Sequence, residues 1–169
     1  MSAERGKILD NNQIVRKLER MAYQIYEQNF DEKHLIIIGI ANKGFVFAQQ
    51  LKNKLEEISK LKITLHKLKM DKRNPLKGFE FDTKLNLTDK NILLVDDVGN
   101  TGRTLFYAMT PLMNQLPRKI QTAVLVDRMH KTFPIQPTFT GLSLATTLNQ
   151  EVIVELDKSG QSICCAYLQ

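Results

Sequence analysis

The amino-acid pattern predicts an α/β protein with a central, mostly parallel sheet flanked by helices. Three observations carry that reading. Apolar runs at 35–40, 91–95 and 120–127 have the length and composition of strands buried on both faces. Helical spacing recurs between them, at 46–58 and 105–116. Twice the chain passes from such a strand through a glycine-bearing turn into a helix, at 39–44 and at 96–104. Strands that alternate with helices pair in parallel, because a crossover helix returns the chain to the same end of the sheet.

Each element has its own justification. Asp10 is placed to cap a first helix, in which Ile14, Leu18, Met21, Ala22 and Ile25 recur at helical spacing to about Asn29. In the second helix Val46, Phe47, Leu51 and Leu55 form the inward face. Residues 61–68 alternate like a strand. Residues 70–86 have no clean period, contain Pro75 and Gly78, and read as a mobile loop. Pro117 is expected to close the helix at 105–116. Short strands follow at 139–144, 152–156 and 162–167. No repeat or linker interrupts the chain, so one domain is expected over 1–169.

The bulk properties narrow the setting. Lys and Arg number 24 against 18 Asp and Glu, a net charge of +6 that favours anionic ligands without choosing between nucleic acid and a phosphorylated substrate. No apolar run approaches the roughly 18 residues of a membrane helix. The N-terminus lacks the apolar core of a secretory signal, so a cytoplasmic protein is expected. Cys164 and Cys165 are adjacent, which suits neither a zinc ligand set nor an ordinary disulfide. They are expected to fill core and surface positions of the last strand.

The chemistry concentrates in 91–104. Asp96 and Asp97 stand at the carboxyl end of a strand, where open α/β sheets bind ligands. Gly99 and Gly102 allow close backbone approach, Thr101 and Thr104 add hydroxyls, and successive amides can form an anion nest. Carboxylates repel phosphate, so the acids must serve another part of the ligand. Vicinal ribose hydroxyls with a magnesium ion nearby fit them. A phosphate at one end and a diol at the other describe a ribose 5-phosphate. Neither G-x-x-x-x-G-K-[ST] nor G-x-G-x-x-G occurs, which excludes the P-loop and the dinucleotide fingerprint.

The string LVDDVGNTGRT at 94–104 resembles the phosphoribosyl pyrophosphate (PRPP) signature of type I phosphoribosyltransferases. The resemblance is closest to the PyrR-type group, which combines uracil phosphoribosyltransferase activity with attenuation of pyrimidine genes. It extends over Ile8 to Asp10, Gly39 to Gly44, Ile63 to Leu65, the run from Ala123 through Asp127 and Arg128 to His130, and Pro134 with Ile135. It implies the type I phosphoribosyltransferase fold, with a small C-terminal/N-terminal hood, the C-terminal part at about 130–169, and a flexible lid at about 70–86. It implies transfer of the 5-phosphoribosyl group of PRPP to a nucleobase, uracil in this branch, with Mg2+. In that reading Asp96 and Asp97 hold the ribose and, through its hydroxyls or water, the metal. Val98, Gly99, Asn100, Thr101, Gly102, Arg103 and Thr104 hold the 5-phosphate. Ala41, Asn42, Lys43 and Gly44 form the pyrophosphate turn, with a cis peptide expected near Ala41–Asn42. Lys67, Lys69, Lys72 and Arg73 belong to the lid region, and Arg128 and His130 face the base. The resemblance also implies a homodimer or larger homo-oligomer.

Several positions depart from the group. His66 to Met70 replaces a segment that usually carries an acidic pair. Lys43 stands where arginine is usual and lacks its bidentate fork. Asn100 stands where purine enzymes place an aspartate that acts as base, which argues against hypoxanthine or guanine. The group's RNA contacts come partly from a threonine and a histidine one turn apart, matched here by Glu19 and Tyr23. Leu142 replaces a basic residue, whereas Lys131 keeps one. RNA binding is therefore disfavoured, because an acid repels the phosphate backbone that dominates affinity.

Overall fold

A computed structural model describes residues 5–169, so the first four residues of the domain expected over 1–169 lie outside the described part. Strand β1 (Gly6–Leu9) leads into helix α1 (Asn11–Glu27). Asp10 caps that helix as its position predicts. Its carboxylate accepts from the Gln13 amide at 2.8 Å, and the Gln13 side chain accepts from the Asp10 amide at 2.9 Å. The five inward residues expected of α1 are the ones buried. Next come β2 (His34–Ile40), α2 (Lys43–Ile58), β3 (Lys62–Met70), a 3-10 turn at Pro75–Lys77 and β4 (Phe79–Phe81). The chain continues through β5 (Asn91–Gly99), α3 (Arg103–Ala108), α4 (Thr110–Met113), β6 (Lys119–Arg128), β7 (Phe139–Leu144), β8 (Val152–Leu156) and β9 (Ile163–Leu168).

Six strands form one sheet in the order β4-β3-β2-β5-β6-β7. Every pair is parallel except β3 with β4, so the mostly parallel sheet is the one expected. An antiparallel sheet in the order β1-β9-β8 forms the hood. Side chains of β5 alternate between two cores. Leu93 and Val95 join α1, α2 and the hood residues Leu9, Val154, Ile163 and Ala166. Ile92 and Leu94 pack on the other face against Leu105, Ala108 and Leu112.

Several expectations need correction. The helix expected over 105–116 is two short helices, α3 and α4. Pro111 has no amide proton to donate, and its ring crowds the carbonyl one turn back. Strand β5 runs past Val95 to Gly99, because Asp96, Val98 and Gly99 pair with Val124, Val126 and Asp127. The ladder is made by backbone, so acidic side chains do not end it. Strand β7 pairs with β6 and belongs to the central sheet, which removes it from the hood expected over 130–169. Strand β1, which the local pattern does not announce, is four residues long, is held by pairing with β9 and supplies the N-terminal part expected of the hood. Part of 70–86 is regular, since β4 pairs with β3 from Leu68↔Phe81 to Met70↔Phe79. Cys164 and Cys165 are both free and half-buried rather than split between core and surface.

Candidate active site

The parallel strands bring their carboxyl ends to one edge, the place where open α/β sheets form their ligand crevice. Asp96 is only 1% exposed, whereas Asp97 is half-buried at the mouth. The start of α2 presses against Asp96. A Cβ on Gly44 would lie 2.8 Å from its carboxylate, so only glycine admits this approach. Lys72, in the segment after β3, places its Nζ 3.2 Å from the same carboxylate. Burial, and next the charge of Asp97, push the Asp96 carboxyl up to about 8, while Lys72 pulls the other way. Burial and the neighbouring charge thus favour the protonated form of Asp96.

The turn after β5 is tightly buttressed. Gly102 has φ of 86°, a left-handed conformation suited to glycine. The Thr101 carbonyl accepts from the amides of Thr132 and Phe133 at 3.0 and 3.1 Å. The Thr101 hydroxyl accepts from the Arg103 amide at 3.3 Å. Residues 99–104 therefore lie together beside the acids, as expected. Val98 sits in the β5 ladder and packs its side chain on the core, so only its backbone is near the turn. Arg103 is exposed and donates to the Arg73 carbonyl at 3.5 Å.

The turn after β2 differs. Its Ala41–Asn42 peptide is cis, as the resemblance implied. The Ala41 amide donates to the Leu68 carbonyl at 2.9 Å, so it is committed to β3. Lys43 donates to the Val154 carbonyl of the hood at 2.6 Å, so its ammonium is engaged there. Lys67 lies over the Phe45 ring, 4.5 Å from its centroid. Lys69, Lys72 and Arg73 are exposed.

On the other flank, Arg128 ends β6 and uses three arms. It donates to Asn100 Oδ1 at 3.1 Å, Thr146 Oγ1 at 2.9 Å and the Thr147 carbonyl at 3.1 Å. His130 Nε2 donates to the Thr146 carbonyl. Lys131 is bonded to the buried Asp127 carboxylate and donates to the carbonyls of Asn100 and Arg128 at 2.9 and 2.8 Å. Sequence reasoning missed Thr146 and Thr147. Their signal was a pair of hydroxyls just beyond the carboxyl end of a strand.

Two of the features tied to RNA, Glu19 and Leu142, stand elsewhere. Glu19 lies 3.6 Å from Lys54 on the neighbouring helix, and Leu142 packs against the core. Lys131 is committed to the network just described. Among the described residues no group of three or more His, Cys, Asp or Glu gathers as a metal site, so the two acids would need ligand oxygens to complete one. No described helix is long and apolar enough to cross a membrane.

Residues 4–157 match the phosphoribosyl transferase domain family. The chain is 34% identical over 157 residues to a protein of Leuconostoc mesenteroides named Bifunctional protein PyrR, covering 88% of this chain and 89% of that one. A Bacillus cereus protein of the same name is 35% identical over 171 residues, covering 94% of each. Among solved structures, the hypoxanthine phosphoribosyltransferase of Trypanosoma cruzi superposes with a TM-score of 0.81 at 17% identity, covering 98% of this chain and 96% of that one. At that identity the likeness speaks for the fold alone.

Proposed function

The chain belongs to the phosphoribosyltransferase family, and on that premise we propose that it transfers the 5-phosphoribosyl group of PRPP to uracil, giving UMP and pyrophosphate. The observation that carries this is the juxtaposition at the end of β5: paired acids run directly into a buttressed glycine turn. The acids suit the ribose diol and the turn suits the 5-phosphate. Ligand binding supplies the cation and hydroxyl donors that favour the charged form of Asp96. Magnesium fits this donor set, because it takes one or two carboxylates together with water and substrate oxygens. Asp96 and Asp97 would hold it through ribose hydroxyls or water, and it would neutralise charge on the departing pyrophosphate. Lys72 leaves Asp96 as the ribose arrives and joins Lys69 and Arg73 on the pyrophosphate side. There, cations in a closed site stabilise developing charge. Lys43 contributes once pyrophosphate competes for it with the Val154 carbonyl.

The test is an assay of the purified protein with PRPP, magnesium and a panel of bases. Uracil is expected to give UMP and pyrophosphate in equal amounts. Transfer to hypoxanthine or guanine in preference to uracil would overturn the choice of base.

The similarity to proteins named bifunctional keeps a second reading in view, an RNA-binding regulator of pyrimidine genes with weak catalysis. Glu19, the core-packed Leu142 and the committed Lys131 weigh against it. Filter binding with a pyrimidine-leader hairpin, beside a scrambled RNA, separates the two. Tight, hairpin-selective binding stimulated by UMP would favour the regulator. Weak, unselective binding suppressed by PRPP would favour the enzyme alone.

A further inference from the structure

We propose that Lys131 is a positioning residue for phosphate binding: it holds the turn after β5 with its carbonyls drawn to one side, which frees the Thr101 and Gly102 amides for an anion. This rests on the transferase reading above, in which that turn takes the 5-phosphate. An ammonium has three protons to donate. Those of Lys131 go to the buried Asp127 carboxylate and to the carbonyls of Asn100 and Arg128, the last two at 2.9 and 2.8 Å. No proton is left over for a ligand, so the residue acts through the backbone it grips.

The gripped carbonyls decide what the turn offers. The Asn100 carbonyl is held by Lys131, and the Thr101 carbonyl by the amides of Thr132 and Phe133 at 3.0 and 3.1 Å. Both acceptors therefore face the 131–133 segment. In a trans peptide the N–H points opposite to the C=O of the same bond. The N–H groups of Thr101 and Gly102 belong to these two bonds, which are trans, so they face away from that segment. Neither has a partner among the described residues. Gly102 is buried, and free amides in a buried turn are satisfied by a bound anion. Without Lys131, the Asn100 carbonyl has no other donor among the described residues. Its peptide can then rotate and turn an acceptor toward the phosphate.

The lysine is itself set in place. Asp127 is 1% exposed and also accepts from Gln136 Nε2 at 3.2 Å. It approaches the turn because Gly99 has no side chain: a Cβ there would lie 2.7 Å from the carboxylate. A Cβ on Gly102 would lie 3.4 Å from the Lys131 stem. Asp127 and Lys131 thus form one strut between the end of β6 and the turn. Their opposite charges largely cancel at a distance, so the pair acts on backbone direction more than on attraction of the anion.

Titration of the full chain with ribose 5-phosphate tests the proposal, read by calorimetry and by the amide NMR signals of Thr101 and Gly102. In the wild-type protein both signals should move downfield as their N–H groups meet the phosphate. Lys131→Met should weaken binding roughly tenfold and reduce both shifts. Lys131→Arg keeps donors for the carbonyl and for Asp127, and should recover most of the affinity and of the shifts. Asp127→Asn with Lys131→Met leaves no unpaired buried charge, which separates positioning from folding. It should bind as weakly as Lys131→Met while being more stable. Wild-type affinity and shifts in that double variant would overturn the inference. So would a wild-type protein whose Thr101 and Gly102 signals ignore ribose 5-phosphate, a result that also removes the 5-phosphate from this turn. If the variants lose ribose 5-phosphate as described, yet no base releases pyrophosphate from PRPP, the transferase reading fails while the inference about Lys131 stands.

Discussion

The two flanks of the crevice are built in opposite ways. On the β6 flank, Asp127, Lys131, Arg128, Asn100 and Thr146 are joined to one another by hydrogen bonds. On the β2 flank the cations are either exposed, as with Lys69 and Arg73, or engaged elsewhere, as with Lys43 on the hood and Lys72 on Asp96. Reading a base depends on direction, so its donors and acceptors must be fixed beforehand. Binding a polyanion depends on the number of charges near it, so flexible lysines suffice and can assemble on demand. On the transferase reading proposed above, base recognition belongs to the ordered flank and charge neutralisation to the open one.

The largest expected effect lies between the flanks. Asp96→Asn with Asp97→Asn should weaken PRPP binding at least about a hundredfold, the scale of losing two charge-assisted contacts, with circular dichroism unchanged. Calorimetry showing wild-type affinity in the folded variant would remove the ribose site from these acids, and with it the division into two flanks.

The ordered flank should show itself in stability. Asp127→Ala leaves Lys131, whose side chain is 17% exposed, without its carboxylate. The cost should be about 3 kcal/mol in urea denaturation, the scale for breaking a buried pair. Lys69→Ala, on the open flank, should cost under about 0.5 kcal/mol. Equal losses at the two positions would erase the contrast.

A pH effect should follow from Asp96. Its carboxyl is raised from 3.8 in the unfolded chain to about 8 in the folded one. Between those values the folded state holds a proton that the unfolded state lacks, so this group's contribution to stability falls as pH rises. From about pH 6 to pH 8 the loss should be on the order of 2 kcal/mol. Asp96→Asn should flatten that slope in paired denaturation curves; an unchanged slope would show that Asp96 titrates normally.

The smallest effect concerns Lys72. Lys72→Ala should tighten ribose 5-phosphate severalfold by uncovering Asp96, yet lower kcat with PRPP by removing a pyrophosphate cation. Losses of the same size in both measurements would mean that Lys72 does not exchange partners.

Much of this could be read from the residue order. The strands of the central sheet, the two strand-to-helix turns, the Asp10 cap and the grouping of Asp96 and Asp97 with 99–104 follow from local pattern. Each depends on neighbours within a few residues, where periodicity, capping and glycine chemistry act. Pro111 divides the helix between α3 and α4, where apolar spacing alone reads as one continuous helix. The partners of Lys43, Lys72 and Arg128 were not legible. Each is decided by which distant backbone or carboxylate the fold brings within about 3 Å, a hydrogen-bond reach that no local pattern encodes. Strand β1 is similar, since four residues form a strand only when β9 stands beside them. Chain order thus establishes the sheet and the run of paired acids into a glycine turn, because buried apolar stripes and turn chemistry are local properties. The buried state of Asp96 and the direction in which the Asn100 amide faces arise only in three dimensions. They depend on the close approach of Gly44 and on an arginine 28 residues further along the chain.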